Sequence, residues 1–404
     1  MATANRLIFD LMVPSTAVSQ HRLDALGPHD WEAFRYLSAL HRLQPWLDHV
    51  LRTRRPGLKL PASVTDYLRA SRIEQTGRAL KIRALLTRLS ALFETADMPW
   101  RALKGAYLAF HVYPSIELRP LRDLDILVPE DRALEAFDLL LANGAERSSL
   151  DPGDPAAFLA THQKHLPAIT FAREDVRVEV HARLVKQSSH SPALAGDAVL
   201  PAPALRVGGD PVPFLDPELL LLHLVVHAAY EHKFDNGPLT FVDIEHLLST
   251  TRLDWPRFWS LCAAGGHIRG AILTLRISEL VAGRQLFEHA LRDELSDAWL
   301  SSIVAALTRT NGDSADQALA RRFSKGKANW DNWRFIGRRL FRTRTELVSE
   351  FGDDGASYAA LYLRLSSRLA RRRLPMLVRF MRTGKASEAT QAMQAITTWL
   401  DAPA

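Results

Sequence analysis

Two carboxylates two residues apart open an apolar run, Asp123-Leu124-Asp125-Ile126-Leu127-Val128. Alternate side chains of a strand share a face, so Asp123 and Asp125 project together while Leu124 and Ile126 point the other way. Neighbouring carboxylates resist ionising side by side. A divalent cation removes that conflict, and magnesium favours carboxylate oxygens together with substrate phosphates and retained waters. Two such ions about 3.5–4 Å apart suit in-line phosphoryl transfer. A third acid completes such a site, and the candidate is Glu179 in Val176-Arg177-Val178-Glu179-Val180-His181. There the three valines alternate with Glu179 and His181, which share a face. His181 either orients a metal-bound water or hydrogen-bonds a carboxylate. Glu179 approaches the aspartates if its strand pairs beside 121–128; strand 168–172 is the alternative neighbour.

Upstream, Lys104-Gly105 ends a short apolar run and opens a helix. A glycine at a strand-to-helix turn lets backbone come close to a phosphate, and a helix N-terminus favours an anion. Lys104 adds a mobile positive charge. Arg119 is expected either to pair with Asp123 or Asp125 or to bind phosphate. His223 and His227 stand at i, i+4 on an apolar helix, without the glutamate of a metalloprotease. They read as buried, hydrogen-bonded histidines, with His227 also able to reach a nucleotide. His162 and His165 are candidates to line the cleft. Asp243, amid Phe241-Val242 and Ile244, reads as an acid paired with a base or capping a helix, with a substrate contact as the alternative.

The elements that position these residues follow from the pattern around them. Strands are expected at 100–103, 121–128, 168–171 and 176–180. A helix runs over 105–112, and another starts at Pro129-Glu130-Asp131 and stops at Asn143-Gly144. Before residue 95 the periodicity is helical, with Asp30 as an N-cap and a long helix over 66–94. After about residue 215 the chain reads as helices, beginning with Asp216-Pro217-Glu218 as a cap. The five prolines between Ser188 and Pro213 mark a linker. The expected fold class is α+β, a small mixed-sheet core embedded in a largely α-helical protein. Its parts are a helical region (1–95), the core (96–187), the linker (188–213) and a helical domain (214–404).

Composition narrows the class further. The chain has 404 residues, enough for two or three cores. Its 47% hydrophobic and 24% charged content is ordinary for a globular protein. The single cysteine, Cys262, excludes an intrachain disulfide framework and a cysteine-rich zinc site. The longest apolar run, Leu219 to Val226, contains His223 and is too short to span a bilayer. The N-terminus lacks a signal-peptide pattern, so the expectation is a reduced, cytoplasmic compartment and no membrane partner. There is no Gly-rich phosphate loop, nucleophile elbow or dinucleotide fingerprint. Between Arg321 and Lys385 seventeen Lys/Arg face five Asp/Glu. That stretch is either a surface for an acidic partner such as RNA or a solubilising helical face.

Leu103-Lys104-Gly105, then Arg119 ahead of Asp123-Leu124-Asp125-Ile126-Leu127-Val128, then Val178-Glu179-Val180-His181, resembles an uncharacterised bacterial nucleotidyltransferase family. That family lies within the polymerase-beta-like nucleotidyltransferase superfamily. The resemblance centres on residues 98–185 and extends loosely through Asp216-Pro217-Glu218 with His227 to Val242-Asp243-Ile244. It implies a nucleotidyltransferase core in which Asp123, Asp125 and Glu179 match the acids that hold two Mg2+ ions, with Mn2+ as a substitute. The superfamily's Gly-Ser turn is replaced here by Lys104-Gly105, and its third acid is Glu179 rather than an aspartate. The expected activity is transfer of a nucleoside monophosphate from a nucleoside triphosphate, ATP among them, to a small-molecule or peptide acceptor. Lys104, Gly105, Arg119, His181 and His227 are the expected nucleotide contacts. The alternatives are a non-catalytic nucleotide- or nucleic-acid-binding protein and a toxin-type nucleotidyltransferase acting on tRNA or protein.

Overall fold

The computed structural model describes residues 2–147, 154–185, 204–234, 237–296, 299–300, 357–365, 367 and 388–401. The chain divides into two compact units. One comprises Met1–Val304 with Leu400–Ala404, and the other Ala305–Trp399. The second unit is described over short helical stretches, in which Leu361, Leu365 and Ile396 are buried. Most of the basic stretch 321–385 lies outside the described residues. No helix among them is long and apolar enough to cross a membrane.

The first unit is α+β. Five helices come first: α1 (Ala2–Met12), α2 (Gln20–Asp24), α3 (Pro28–Leu40), α4 (Gln44–Thr53) and α5 (Ala62–Thr95). Gly27 is the N-cap of α3, and Asp30, expected in that role, instead accepts from the Gly27 N–H at 3.2 Å. Pro28 at the first helical position sets this start, because its missing N–H would be unpaired there anyway.

The chain then builds one sheet from β1 (Arg101–Ala102), β2 (Asp123–Leu127), β3 (Ala145–Arg147), β4 (Ile169–Phe171) and β5 (Val176–His181). The spatial order is β1-β2-β5-β4-β3. β2 and β5 are parallel; the other pairs are antiparallel. Between β1 and β2 lie α6 (Lys104–Tyr107) and a π-helical turn, Leu108–Val112. Between β2 and β3 lies α7 (Ala133–Ala142), and between β3 and β4 lies α8 (Pro155–His162). Parallel neighbours need a crossover, which α7, β3, α8 and β4 supply together. Ile126, Val178, Val180 and Phe137 are fully buried, each contributing on the order of 1.5–3 kcal/mol by leaving water.

The Pro-rich stretch expected as a linker ends in a folded hairpin, β6 (Ala204–Val207) and β7 (Asp210–Pro213). It docks on α5, where Thr87 Oγ1 donates to Asp210 Oδ2 (2.9 Å) and Ser90 Oγ to the Pro211 carbonyl (3.0 Å). Four helices follow: α9 (Pro217–Val226), α10 (Leu239–Thr250), α11 (Trp255–Ala264) and α12 (Ile268–Ala282). Asp216 caps α9 as expected, accepting from Leu219 N at 3.0 Å. A second π-helical turn, His227–Glu231, continues α9.

Candidate functional site

The parallel register places Asp125 opposite Glu179 and Leu127 opposite His181. β5, not the strand at 168–172, is therefore the neighbour of β2. Asp125, Glu179 and His181 each offer a ligand atom, and these atoms lie within 4.8 Å of one another. His181 Nε2 donates to Asp125 Oδ1 at 3.0 Å and lies 3.9 Å from Glu179 Oε2. Arg177 Nη2 reaches Glu179 Oε1 at 2.8 Å. Burial pushes the His181 ring down to about 4, against the pull of Asp125, so the imidazole is neutral at pH 7 and Nε2 carries its proton. Nδ1 is then a buried acceptor with no hydrogen-bond partner.

Lys104 sits immediately after β1, where Leu103 N donates to the Asp125 carbonyl at 3.0 Å. Its backbone has φ +35°, in the left-handed region, which costs a non-glycine residue of order 1–3 kcal/mol and concentrates at functional sites. Its Nζ lies 3.2 Å from Asp125 Oδ2. Burial acts to raise the Asp125 carboxyl, but Lys104 and the His181 hydrogen bond outweigh it and hold the group well below the usual range. For Lys104, burial acts downward, and Asp125 and Glu231 reverse it so that the ammonium is strengthened.

Three of the expected site residues do not join the Asp125–Glu179–His181 group. Asp123 is half-buried and outside the ligand group that Asp125 forms; it sits at the open end of β2, opposite Arg177, with Arg42, Arg119 and Lys104 as charged neighbours. Arg119 pairs with neither Asp123 nor Asp125. Its guanidinium is bonded to Asp243 at 3.0 and 3.3 Å, and Tyr113 donates to the same carboxylate at 2.8 Å. Asp243 thus has the base partner that its apolar surroundings require. At Gly105 the space that a Cβ would take is filled by the Arg119 guanidinium and, 2.9 Å away, Leu121 Cδ2. The glycine is required by that packing.

A second buried lysine joins the site. Leu166 N donates to the Val180 carbonyl and Ala182 N to the Lys164 carbonyl, both at 2.9 Å, so this segment runs along the end of β5. Lys164 is 4% exposed, and its Nζ bonds both oxygens of Glu231 at 2.6 and 2.7 Å. Burial, then repulsion from Lys104, lowers its amine to about 8 despite Glu231. His223 lies on α9 with its ring centroid 6.5 Å from that of His181, and His227 follows at 6.3 Å from His223. Neither ring nitrogen of His223 has a hydrogen-bond partner, contrary to the expectation of a hydrogen-bonded histidine. His162 and His165 extend this line of rings, at 6.2 Å from each other and with His165 5.3 Å from His181.

Sequence reasoning missed Lys164 and Glu231. The one available signal for Lys164 was its place between His162 and His165, both already suspected of lining the cleft. Glu231 follows His227 by four residues on the same helical stretch.

The donor set tests whether a divalent ion fits. Two carboxylates and a neutral imidazole converge, and an ammonium already neutralises the Asp125 oxygen that faces Lys104. Lys104 faces Asp125 Oδ2 and the His181 N–H faces Oδ1, so one divalent ion fits between the remaining lone pairs of Asp125 and Glu179, with its other positions left to phosphate and water. A second would require Asp123, which this arrangement leaves apart. No curated protein matches the chain. The family described as "Uncharacterised nucleotidyltransferase" matches residues 27–283, a span running from α3 through α12 and taking in both lysine–carboxylate pairs. With most of its length so matched, the chain belongs to that nucleotidyltransferase family.

Proposed function

We propose that the chain moves a nucleoside monophosphate from a nucleoside triphosphate to a hydroxyl or similar group on a small-molecule or peptide acceptor, releasing pyrophosphate, with Mg2+ or Mn2+ as the cofactor. The proposed site is Asp125, Glu179 and His181 with Lys104 and Lys164, in a core of the polymerase-beta-like type. The observation that carries this reading is the register of β2 and β5, which sets Asp125 beside Glu179 and brings two buried ammonium groups to the same corner.

Asp125 and Glu179 would hold the divalent ion, with the neutral His181 donating to Asp125 beside them. Such an ion neutralises triphosphate charge and makes the acceptor oxygen a better nucleophile. Lys104 and Lys164 supply fixed positive charge in a dry setting, where it acts on a phosphate far more strongly than in water. Glu231 holds the Lys164 ammonium in place. His181 orients Asp125 through Nε2 without adding charge. Glu179, less buried than Asp125, faces the approach of an acceptor and can take its proton. Asp123, half-buried at the start of β2, would contact the substrate.

The test is incubation with each α-labelled nucleoside triphosphate, Mg2+ and cell extract, followed by separation of small molecules, peptides, protein and RNA. Label on a small molecule or peptide supports the reading. Label on tRNA or protein would favour the toxin-type alternative. Binding of triphosphate with neither transfer nor pyrophosphate release would favour a non-catalytic binding protein.

A further inference from the structure

A second ligating group forms among the described residues, from side chains other than those of the β2–β5 corner. His227, Glu231 and His232 bring ligand atoms within 4.8 Å of one another. The backbone explains why these three meet. In an α-helix, residue i+5 lies well over a third of a turn round from residue i. Here the helix widens to a π-turn, and His232 N donates to the His227 carbonyl at 3.1 Å. That extra residue per turn sets His232 over His227, with ring centroids 4.3 Å apart, and Glu231 beside them. Such single π-turns occur frequently at functional sites.

Glu231 is also oriented from outside. Lys164 bonds both of its oxygens, and a carboxylate has about four lone-pair positions, so each oxygen keeps a position for a second partner. This is the arrangement of an outer partner that fixes a metal ligand. The donor chemistry differs from that of the β2–β5 corner, which has two carboxylates and one imidazole. Two imidazoles with one carboxylate suit zinc and its neighbours, whereas magnesium takes oxygen ligands.

We propose that His227, Glu231 and His232 bind one zinc-class transition-metal ion, with Lys164 positioning Glu231. Three protein ligands leave the fourth tetrahedral position open to water or a substrate group. This site does not depend on nucleotidyl transfer.

The test uses the full chain, free of any histidine tag and stripped of metal, titrated with Co2+ as a spectroscopic probe and then with Zn2+ in competition. One Co2+ per chain is expected, with visible d–d absorption, displaced by Zn2+ and retained in Asp125→Asn. His232→Ala should weaken binding by more than about tenfold, the lower bound of the loss when even an outer partner of a ligand is removed. His232 is exposed, so thermal unfolding of that variant should be unchanged, and this separates a lost ligand from a lost fold. Glu231→Gln should weaken binding likewise. Wild-type affinity and stoichiometry in His232→Ala would overturn the proposal. So would absence of Co2+ binding by the wild type, or its loss in Asp125→Asn, which would place the ion at the β2–β5 corner.

Discussion

Asp125 and Asp243 are both buried aspartates held by one cation and one ring-bearing donor, yet they are built for different ends. Asp243 receives the planar fork of Arg119 and the Tyr113 hydroxyl. Tyr113 in turn stacks on His246, with centroids 4.6 Å apart, and meets Trp46 edge-on. Arginine fits a carboxylate in a fixed geometry and is always charged, so that corner is saturated and rigid. Asp125 instead faces a lysine, a compact charge on a flexible stem. The lysine's backbone is in the left-handed region, and the partnering histidine keeps an unsatisfied buried nitrogen. The unfilled acceptor stands beside Asp125, whereas both oxygens of Asp243 are partnered. The first corner keeps the shape; the second has something left to bind.

The largest effect expected from breaking this contrast is on stability at the saturated corner. Asp243→Asn leaves Arg119 buried without its counter-charge, and should cost about 3–5 kcal/mol, read from denaturant unfolding. Catalysis per folded molecule should change little. A loss below about 1 kcal/mol would mean that the pair behaves as an exposed one. Gly105→Ala should come next, at about 1–3 kcal/mol from overpacking, because its Cβ meets the Arg119 guanidinium. Combined with Arg119→Ala, the two losses should be far from additive; strict additivity would show that Gly105 is needed for something else.

At the open corner, Lys104→Met removes charge while keeping length. It should weaken triphosphate binding by about tenfold, equivalent to 1.4 kcal/mol, and monophosphate binding by less. Equal losses for both ligands would remove Lys104 from the phosphate site. The smallest expected effect concerns pH. Burial holds His223 well below its ordinary 6.5, so between its folded and unfolded values the unfolded chain binds the extra proton. Stability should therefore rise with pH through that window and fall as pH drops from about 6.5. His223→Leu should flatten the slope by up to about 1.4 kcal/mol per pH unit, and an unchanged slope would show that His223 titrates alike in both states.

Much of the positioning was legible in the sequence because it rests on local rules. The alternation in Asp123–Leu127 and Val176–His181 gives strands with acids on one face, and Asp216-Pro217 starts α9 as its chemistry requires. The hairpin at β6–β7 also had a signal, since Gly208-Gly209 occupies the turn with φ +65° and +105°, a glycine pair suited to a tight hairpin. The prolines around it drew the reading toward a linker instead. Lys164 and Glu231 were not legible, because nothing local fixes them. Lys164 is placed by backbone pairing at the end of β5, eighteen residues on at Ala182, and Glu231 by a π-turn that periodicity at 3.6 residues does not anticipate. The Arg119–Asp243 pair spans 124 positions, and only the fold could show that this arginine faces away from the acids nearest to it in sequence. The expectation of an RNA-binding surface at 321–385 rests on residues mostly outside the described structure.

The central claim is that Asp125, and not Asp243, is the aspartate of the reaction. It is tested most directly by the rate of pyrophosphate release from an α-labelled triphosphate with Mg2+, comparing Asp125→Asn with Asp243→Asn at equal folded concentration. Because Asp125→Asn also deprives Lys104 of its partner, it is paired with the double variant Lys104→Met, Asp125→Asn, which should recover stability without recovering rate. The account predicts that Asp125→Asn slows release by roughly 10²–10³ or more, the loss of several kcal/mol of charge stabilisation, and that Asp243→Asn stays near the wild-type rate. Wild-type release by a folded Asp125→Asn would contradict it.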